Sequence, residues 1–212
     1  MGCTAKDVIA ALRAGAAVVA EHRDELIQLD REIGDADHGE NMERGFRAVV
    51  DKLDTSAPET PGAALKLAAT VLISTVGGAS GPLYGTALLR AASAAGDAEE
   101  LDATAVAKLL RAGVDGVVAR GKAELGDKTM IDALSPAADA AGSVAESEAD
   151  GVKALAAGAE AAHEGARNTE PMVARKGRAS YLGDRSAGHV DPGARSTALL
   201  LSAFAESARA RS

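Results

Sequence analysis

Asp30, Asp35 and Asp37 stand at i, i+5 and i+7 in the segment Asp30-Arg31-Glu32-Ile33-Gly34-Asp35-Ala36-Asp37-His38-Gly39-Glu40-Asn41. On an unbroken helix those steps would scatter three carboxylates around the axis, whereas a tight turn at Gly34 and Gly39 could fold them onto one centre. Clustered carboxylates repel unless a cation sits among them. Hard oxygen ligands suit Mg²⁺ or Ca²⁺, and Mg²⁺ usually completes its shell with water and phosphate oxygens. A nucleotide-phosphate site is the chemistry this turn suggests. The plainer alternative is that Asp37 caps a helix beginning near His38, with Asp30 and Asp35 as solvated turn residues. An EF-hand loop fits worse, because the required Gly and terminal Glu positions are missing.

Two further stretches carry compatible chemistry. In Gly77-Gly78-Ala79-Ser80-Gly81-Pro82-Leu83-Tyr84-Gly85-Thr86 the glycines allow a backbone to approach a ligand, and the N–H groups opening the next helix suit an anion. Ser80 or Thr86 could add a hydroxyl. The Gly-Lys-Ser/Thr ending of a P-loop is absent and no strand precedes the stretch, which excludes a P-loop and a dinucleotide fold. The segment from about Thr169 to Asp191 holds Arg175, Lys176, Arg178 and Arg185 in a protein of net charge −8. Such cations can neutralise phosphate, and an unpaired, solvated basic loop is the alternative. Of the four histidines only His38, beside the aspartate turn, invites a functional reading. His22 lies on an apolar stripe, His163 has no partner in view, and His189 is open to either reading.

The elements that must position these residues are helical. The 212 residues include no Trp, two Tyr and two Phe, and alanine dominates; strands favour aromatic and β-branched residues, while alanine is the best helix former. Val8, Leu12, Gly15, Val19, His22, Leu26 and Leu29 form one stripe of a long first helix, capped by Thr4 with Asp7. Met42, Phe46, Val49 and Leu53 form a second. Thr60-Pro61 opens a third helix, through Val76, and Tyr84 to Ala95 reads as the next. Asp102 caps another, Thr129 with Asp132 opens one running to about Val144, and an alanine-rich helix spans about Gly151 to Arg167. Asp191-Pro192 opens the last. That makes about eight helices, no convincing strand, and one domain over 1–212.

Composition excludes several classes. Thirty-one acidic against 23 basic residues and the dearth of aromatics argue against nucleic acid. One cysteine, Cys3, excludes a disulfide framework. No apolar run approaches the ~18 residues of a membrane helix, so the expected setting is the cytoplasm with no membrane partner.

The segments REIGDADHGENMERGF (31–46), GGASGPLYGT (77–86), GKAELGDKTMIDAL (121–134) and RKGRASYLGDRSAGHVDPGA (175–194), in this order, resemble the nucleotide-binding L subunits of phosphotransferase-system-dependent dihydroxyacetone kinases. Asp184 stands where that pattern often has Glu. The resemblance implies an all-α fold, a closed barrel of eight antiparallel helices with the nucleotide among the loops at one end. It implies that Asp30, Asp35 and Asp37 hold two Mg²⁺ on the phosphates of ADP or ATP. It carries nucleotide contacts onto His38, Gly39, Glu40, Asn41, Ala79, Ser80, Gly121, Met130, Arg178 and the Asp191-Pro192-Gly193 turn, with Arg178 as an extra positive charge on the transferred phosphoryl group. Its implied partners are an M subunit carrying a phosphohistidine and a K subunit holding dihydroxyacetone. It is also compatible with a transcriptional regulator as a docking partner, and with a homodimer. An ATP-dependent ketose kinase and a regulatory nucleotide-binding module remain the alternatives.

Overall fold

The computed structural model describes residues 2–211. Helices dominate as the composition requires. Helix α1 (Ala5–Glu21) is followed by α2 (Arg23–Ile33), α3 (His38–Asp54), α4 (Pro61–Thr75) and α5 (Ser80–Ala95). Then come α6 (Ala103–Gly121), α7 (Ile131–Ala145), α8 (Gly151–Asn168) and α9 (Pro192–Ala210).

Local chemistry sets most of the boundaries. Asp7 accepts from both the backbone N–H and the hydroxyl of Thr4 (2.8 and 2.6 Å) at the start of α1. Thr60 accepts from Ala63 N–H, Asp102 from Ala105 N–H and Asp191 from Ala194 N–H, each satisfying a donor that a helix start leaves without a partner. Four expectations are corrected. The first stripe is split at His22 (φ −96°, ψ 12°), which separates α1 from α2. The fourth predicted helix begins at Ser80 rather than Tyr84, because Pro82 in a first turn forfeits only an N–H that has no helical partner anyway. The basic segment is not structureless: Arg178–Ser186 forms a 3₁₀ helix broken by a kink at Gly183 (φ 55°, ψ −132°) and seated through Ala179 on Ile33 of α2. A two-residue antiparallel pair, β1 (Cys3–Thr4) with β2 (Glu100–Leu101), also forms where no strand was expected.

Each long helix packs on its neighbours in a cycle: α1 on α3, α3 on α4, and so through α5, α6, α7 and α8 to α9, which returns to α1. Helix α2 lies against α3 and α9. Small residues permit close approach, as at Gly15 of α1, where a Cβ would come within 2.8 Å of Phe204 of α9. The interior is lined by Leu12, Phe46, Leu88, Leu134, Leu200 and Phe204 among others, and it retains an apolar cavity of about 170 Å³. Among the described residues no helix is long and apolar enough to cross a membrane.

Candidate functional site

At one end of the helices a polar cleft of about 180 Å³ gathers the α2–α3 turn, the α4–α5 turn, the 128–130 segment, the start of the 3₁₀ helix and the start of α9. Tyr84 and Met130 form part of the wall of this cleft and also of the apolar cavity.

The aspartate turn is built around Asp30, the buried member of the trio. Its Oδ2 accepts from the backbone N–H groups of Asp37 (2.9 Å) and His38 (3.1 Å). A carboxylate from the preceding helix thus serves the start of α3, and Asp37 makes no side-chain cap of its own. Asp37 is therefore left to face Asp30 and Asp35, and one oxygen of each residue lies within 4.8 Å of the others. The turn is tight enough to put Ala36 at φ 63°, in the left-handed region that non-glycine residues seldom occupy. Gly34 has no room for a side chain, since a Cβ there would lie 2.1 Å from Asp30 Oδ1. Burial pushes the Asp30 carboxyl above its ordinary range, and the negative charges of Asp35 and Asp37 add to that, against the pull of the two N–H donors. All-carboxylate donors, converging and repelling one another, fit a hard divalent cation. Arg178 Nη1 reaches the same cluster, 2.6 Å from Asp35 Oδ2.

Behind the cleft floor is a buried polar network. His38 contacts the hydroxyls of Ser80 (Nδ1, 3.1 Å) and Ser196 (Nε2, 2.8 Å). Tyr84 Oη lies 2.7 Å from Ser196 Oγ and 2.9 Å from Thr197 Oγ1, and donates to the Gly193 carbonyl. With a hydroxyl on each ring nitrogen, a neutral His38 can donate at one and accept at the other, so both its nitrogens are satisfied. Burial pushes the His38 pKa down to about 4, so the imidazole is neutral at physiological pH and serves as a fixed dipole, not a cation. Burial likewise lifts Tyr84 to about 12 and Asp191 to about 7, the latter in spite of the Ala194 N–H it accepts.

The structure brings together Asp30, Asp35, Asp37, His38, Ala79, Ser80, Met130, Arg178, Asp191, Pro192 and Gly193, all on the cleft wall. Four expected contacts lie off it. Gly39 is buried in the α2–α3 crossing, where a Cβ would meet the Arg23 carbonyl at 2.2 Å. Glu40 is exposed and pairs with Arg23 (2.9 Å), Asn41 accepts from Arg44, and Gly121 is exposed at the end of α6. The other histidines stay outside: His22 bonds Glu25 and His163 bonds Ser202. Sequence reasoning missed Tyr84, Ser196 and Lys128, whose partners lie far away in the chain. The Gly126-Asp127-Lys128-Thr129 turn signal was the available clue to the last.

The model of the DAK2 domain matches residues 32–206. The chain belongs to the DAK2 domain family. It is 48% identical over 184 residues to the ADP-binding subunit DhaL of the PEP-dependent dihydroxyacetone kinase of Escherichia coli, covering 87% of this chain and 88% of that protein. The corresponding subunit of kinase 2 of Listeria innocua is 40% identical, over 90% of this chain and 88% of its own length. The L-erythrulose 1-kinase of Mycolicibacterium smegmatis is 36% identical over 95% of this chain, which spans 35% of that enzyme. Among solved structures, the dihydroxyacetone kinase of C. freundii in complex with AMP-PNP and Mg²⁺ superposes with a TM-score of 0.71 at 26% identity, covering 94% of this chain and 33% of that one. The fold of this DAK2 chain is thus one that a kinase carries as about a third of its length.

Proposed function

We propose that this chain is the nucleotide-binding, phosphoryl-transfer subunit of a dihydroxyacetone kinase. ADP would sit in the polar cleft with its phosphates over two Mg²⁺ held by Asp30, Asp35 and Asp37. A phosphohistidine on an M subunit would give its phosphoryl group to the terminal oxygen of ADP, breaking its P–N bond. The γ-phosphoryl of the resulting ATP would then pass to a hydroxyl of dihydroxyacetone on a K subunit. The observation that carries the reading is the convergence of three carboxylates beside a cationic strap and a glycine-rich helix start in one cleft.

Mg²⁺ bound there supplies charge neutralisation for the phosphate oxygens, which phosphoryl transfer needs more than it needs acids or nucleophiles. The chain's own residues do the rest. Ser80 and the N–H groups opening α5 offer donors to phosphate, Arg178 supplies a positive charge beside Asp35, and the neutral His38 holds Ser80 in place. Met130 and the Asp191-Pro192-Gly193 turn wall the cleft against water. The cycle of helix contacts fits the closed, eight-helix antiparallel barrel, a single unit with the cleft at one end. A homodimer is compatible with this reading, as is docking to a transcriptional regulator, and a cytoplasmic setting suits all three partners.

Similarity over nearly the whole chain to L-erythrulose 1-kinase favours one second reading, in which the K-type partner presents another short ketose. The test of the main reading is to denature the purified protein and identify what it releases. Stoichiometric ADP, with phosphotransfer on reconstitution with K and M subunits, is the expected result. A cleft that binds neither ADP nor ATP with Mg²⁺ would end the proposal.

A further inference from the structure

Among the described residues Lys128 is the only lysine or arginine that is buried, at 1% exposure. No carboxylate pairs with its ammonium. Nζ donates to the backbone carbonyls of Thr169 (2.7 Å), Met172 (3.1 Å) and His189 (2.5 Å), with Glu170 farther off at 3.4 Å. An ammonium has three protons, so the three short bonds use them all and none is left for a ligand. The backbone at Lys128 is left-handed (φ 62°), which for a lysine costs energy unless the surroundings enforce it. They do: buried Asp132 accepts from Gly126 N–H on one side and Thr129 N–H on the other, gripping the turn.

The three carbonyls belong to the two ends of the 169–191 strap. That strap closes on itself through Gly188 N–H to the Glu170 carbonyl (2.7 Å) and Asp191 N–H to Thr169 Oγ1 (2.9 Å). Its outgoing arm meets the same turn again, Arg175 N–H donating to the Asp127 carbonyl (3.0 Å). One buried cation therefore fastens together the turn carrying Met130, the arm leading to Lys176 and Arg178, and the end that enters α9 at Asp191. All three segments line the polar cleft. The fixed negative groups acting on the ammonium are Asp191, Glu170 and Asp132, and burial works against its charge.

We propose that Lys128 is a positioning residue for the nucleotide: its carbonyl-caged ammonium ties the 126–130 turn to both ends of the strap and so sets how tightly the cleft closes on Mg·ADP. The inference rests on the cleft being a nucleotide site. Lys128 touches no phosphate, and its work is to hold Met130, Arg178 and the Asp191-Pro192-Gly193 turn at the right separation.

The test compares Mg·ADP dissociation constants of protein first stripped of nucleotide. Lys128→Met and Lys128→Ala should each bind roughly tenfold or more weakly, the size of effect usual when a supporting group is removed from a site. Added propylammonium, which replaces the atoms from Cγ to Nζ, should restore affinity to Lys128→Ala, and propanol should not. Leu53→Ala, buried in α3 and off the cleft wall, is the control for lost stability alone and should bind like wild type. The proposal is overturned if the lysine variants bind within about twofold of wild type, or if Leu53→Ala loses as much. Should neither lysine variant fold, hydrogen exchange of the wild type decides. The amides of Arg175, Gly188 and Asp191 are expected to slow together when Mg·ADP binds; slowing confined to 30–41 overturns the inference. Wild type that binds no Mg·ADP takes the function down with it, whereas wild-type binding with unimpaired lysine variants removes this inference alone.

Discussion

The same helices enclose two spaces of nearly equal size and opposite character, and Tyr84 and Met130 stand in the wall of both. The inner one is surrounded by leucine, alanine and phenylalanine side chains projecting from helix bodies. The outer one is made almost wholly by the places where helices stop. The inner space depends on side-chain volume, which a helix supplies anywhere along its apolar stripe. The outer one depends on backbone turns held at unusual angles, such as Ala36 at φ 63° and Lys128 at φ 62°. Substitutions should therefore cost function without fold at one end of the molecule, and fold without chemistry in the middle.

The largest separation of the two is expected at the aspartates. Asp30→Ala, Asp35→Ala and Asp37→Ala should each lower Mg·ADP affinity roughly a hundredfold or more, by analogy with the tenfold to hundredfold lost when even supporting groups of a metal site are removed. Far-UV circular dichroism should stay at the wild-type value. Gly34→Val sharpens the point, because it removes no ligand. Its side chain would have to displace Asp30 Oδ1, so calorimetry should show a loss approaching that of Asp30→Ala.

Next in size is a pH effect confined to the cleft end. Asp191 has a folded pKa of about 7 against 3.8 for an ordinary aspartate. A raised folded value means that its contribution to stability is full below about pH 3.8 and is lost as pH rises through about 7. In EDTA-treated protein, Asp191→Asn, which can still accept the Ala194 N–H, should melt higher than wild type at pH 8. The advantage, on the order of a few kcal/mol, should vanish near pH 4. His38 runs the other way: with a folded pKa of about 4 against 6.5, its contribution is full above 6.5 and is lost as pH falls through about 4. An Asp191→Asn advantage that failed to shrink on acidification would mean the carboxyl is already ionised in the fold.

How much of this was legible beforehand follows the same division. Caps are local, so Thr60, Asp102 and Asp191 could be read from residue type and position. The aspartate trio was legible as a cluster, but two readings of Asp37 stood side by side. The structure removes the side-chain cap from Asp37, because Asp30 accepts the N–H groups at the start of α3, an arrangement no spacing rule predicts. The 3₁₀ helix escaped notice because its apolar content is little more than Ala179 and Leu182, whose seat on Ile33 lies far off in the sequence. For Lys128 the Gly126-Asp127-Lys128-Thr129 turn was a clue to the backbone alone, for a related reason. Its partners are carbonyls, which every residue carries, so no residue type advertises them. The resemblance brought Gly39, Glu40, Asn41 and Gly121 to the site by motif, and the structure keeps all four off the cleft wall.

A smaller effect of mixed sign is expected at Arg178. Its pair with Asp35 is largely exposed, with side-chain exposures of 62% and 33%, so it is worth at most about 1 kcal/mol. Arg178→Ala removes a cation that competes for Asp35. Affinity for Mn²⁺ alone, followed by electron paramagnetic resonance, should rise by about two- to fivefold. Affinity for the metal–nucleotide complex should fall, because the phosphates lose a positive neighbour. A fall in both would mean that Arg178 organises the aspartates instead of competing with a cation for them.

The smallest effect on ligand binding belongs to the apolar space. Ala91 of α5 is buried on its wall, and Ala91→Leu would extend three carbons into it without touching the cleft. Each methylene buried from water is worth about 0.8 kcal/mol, but part of that is spent on rotamer restriction and imperfect fit. A net gain of about 1 kcal/mol, seen as a Tm rise of about 2–4 °C for a chain of this size, is the expected result. Mg·ADP affinity should not change, since Tyr84 and Met130 are held by the hydroxyl network and by the 126–132 turn, not by Ala91. A change in affinity with the stabilisation would show that the shared wall transmits packing from one space to the other, and the division between helix bodies and helix ends would have to be redrawn there.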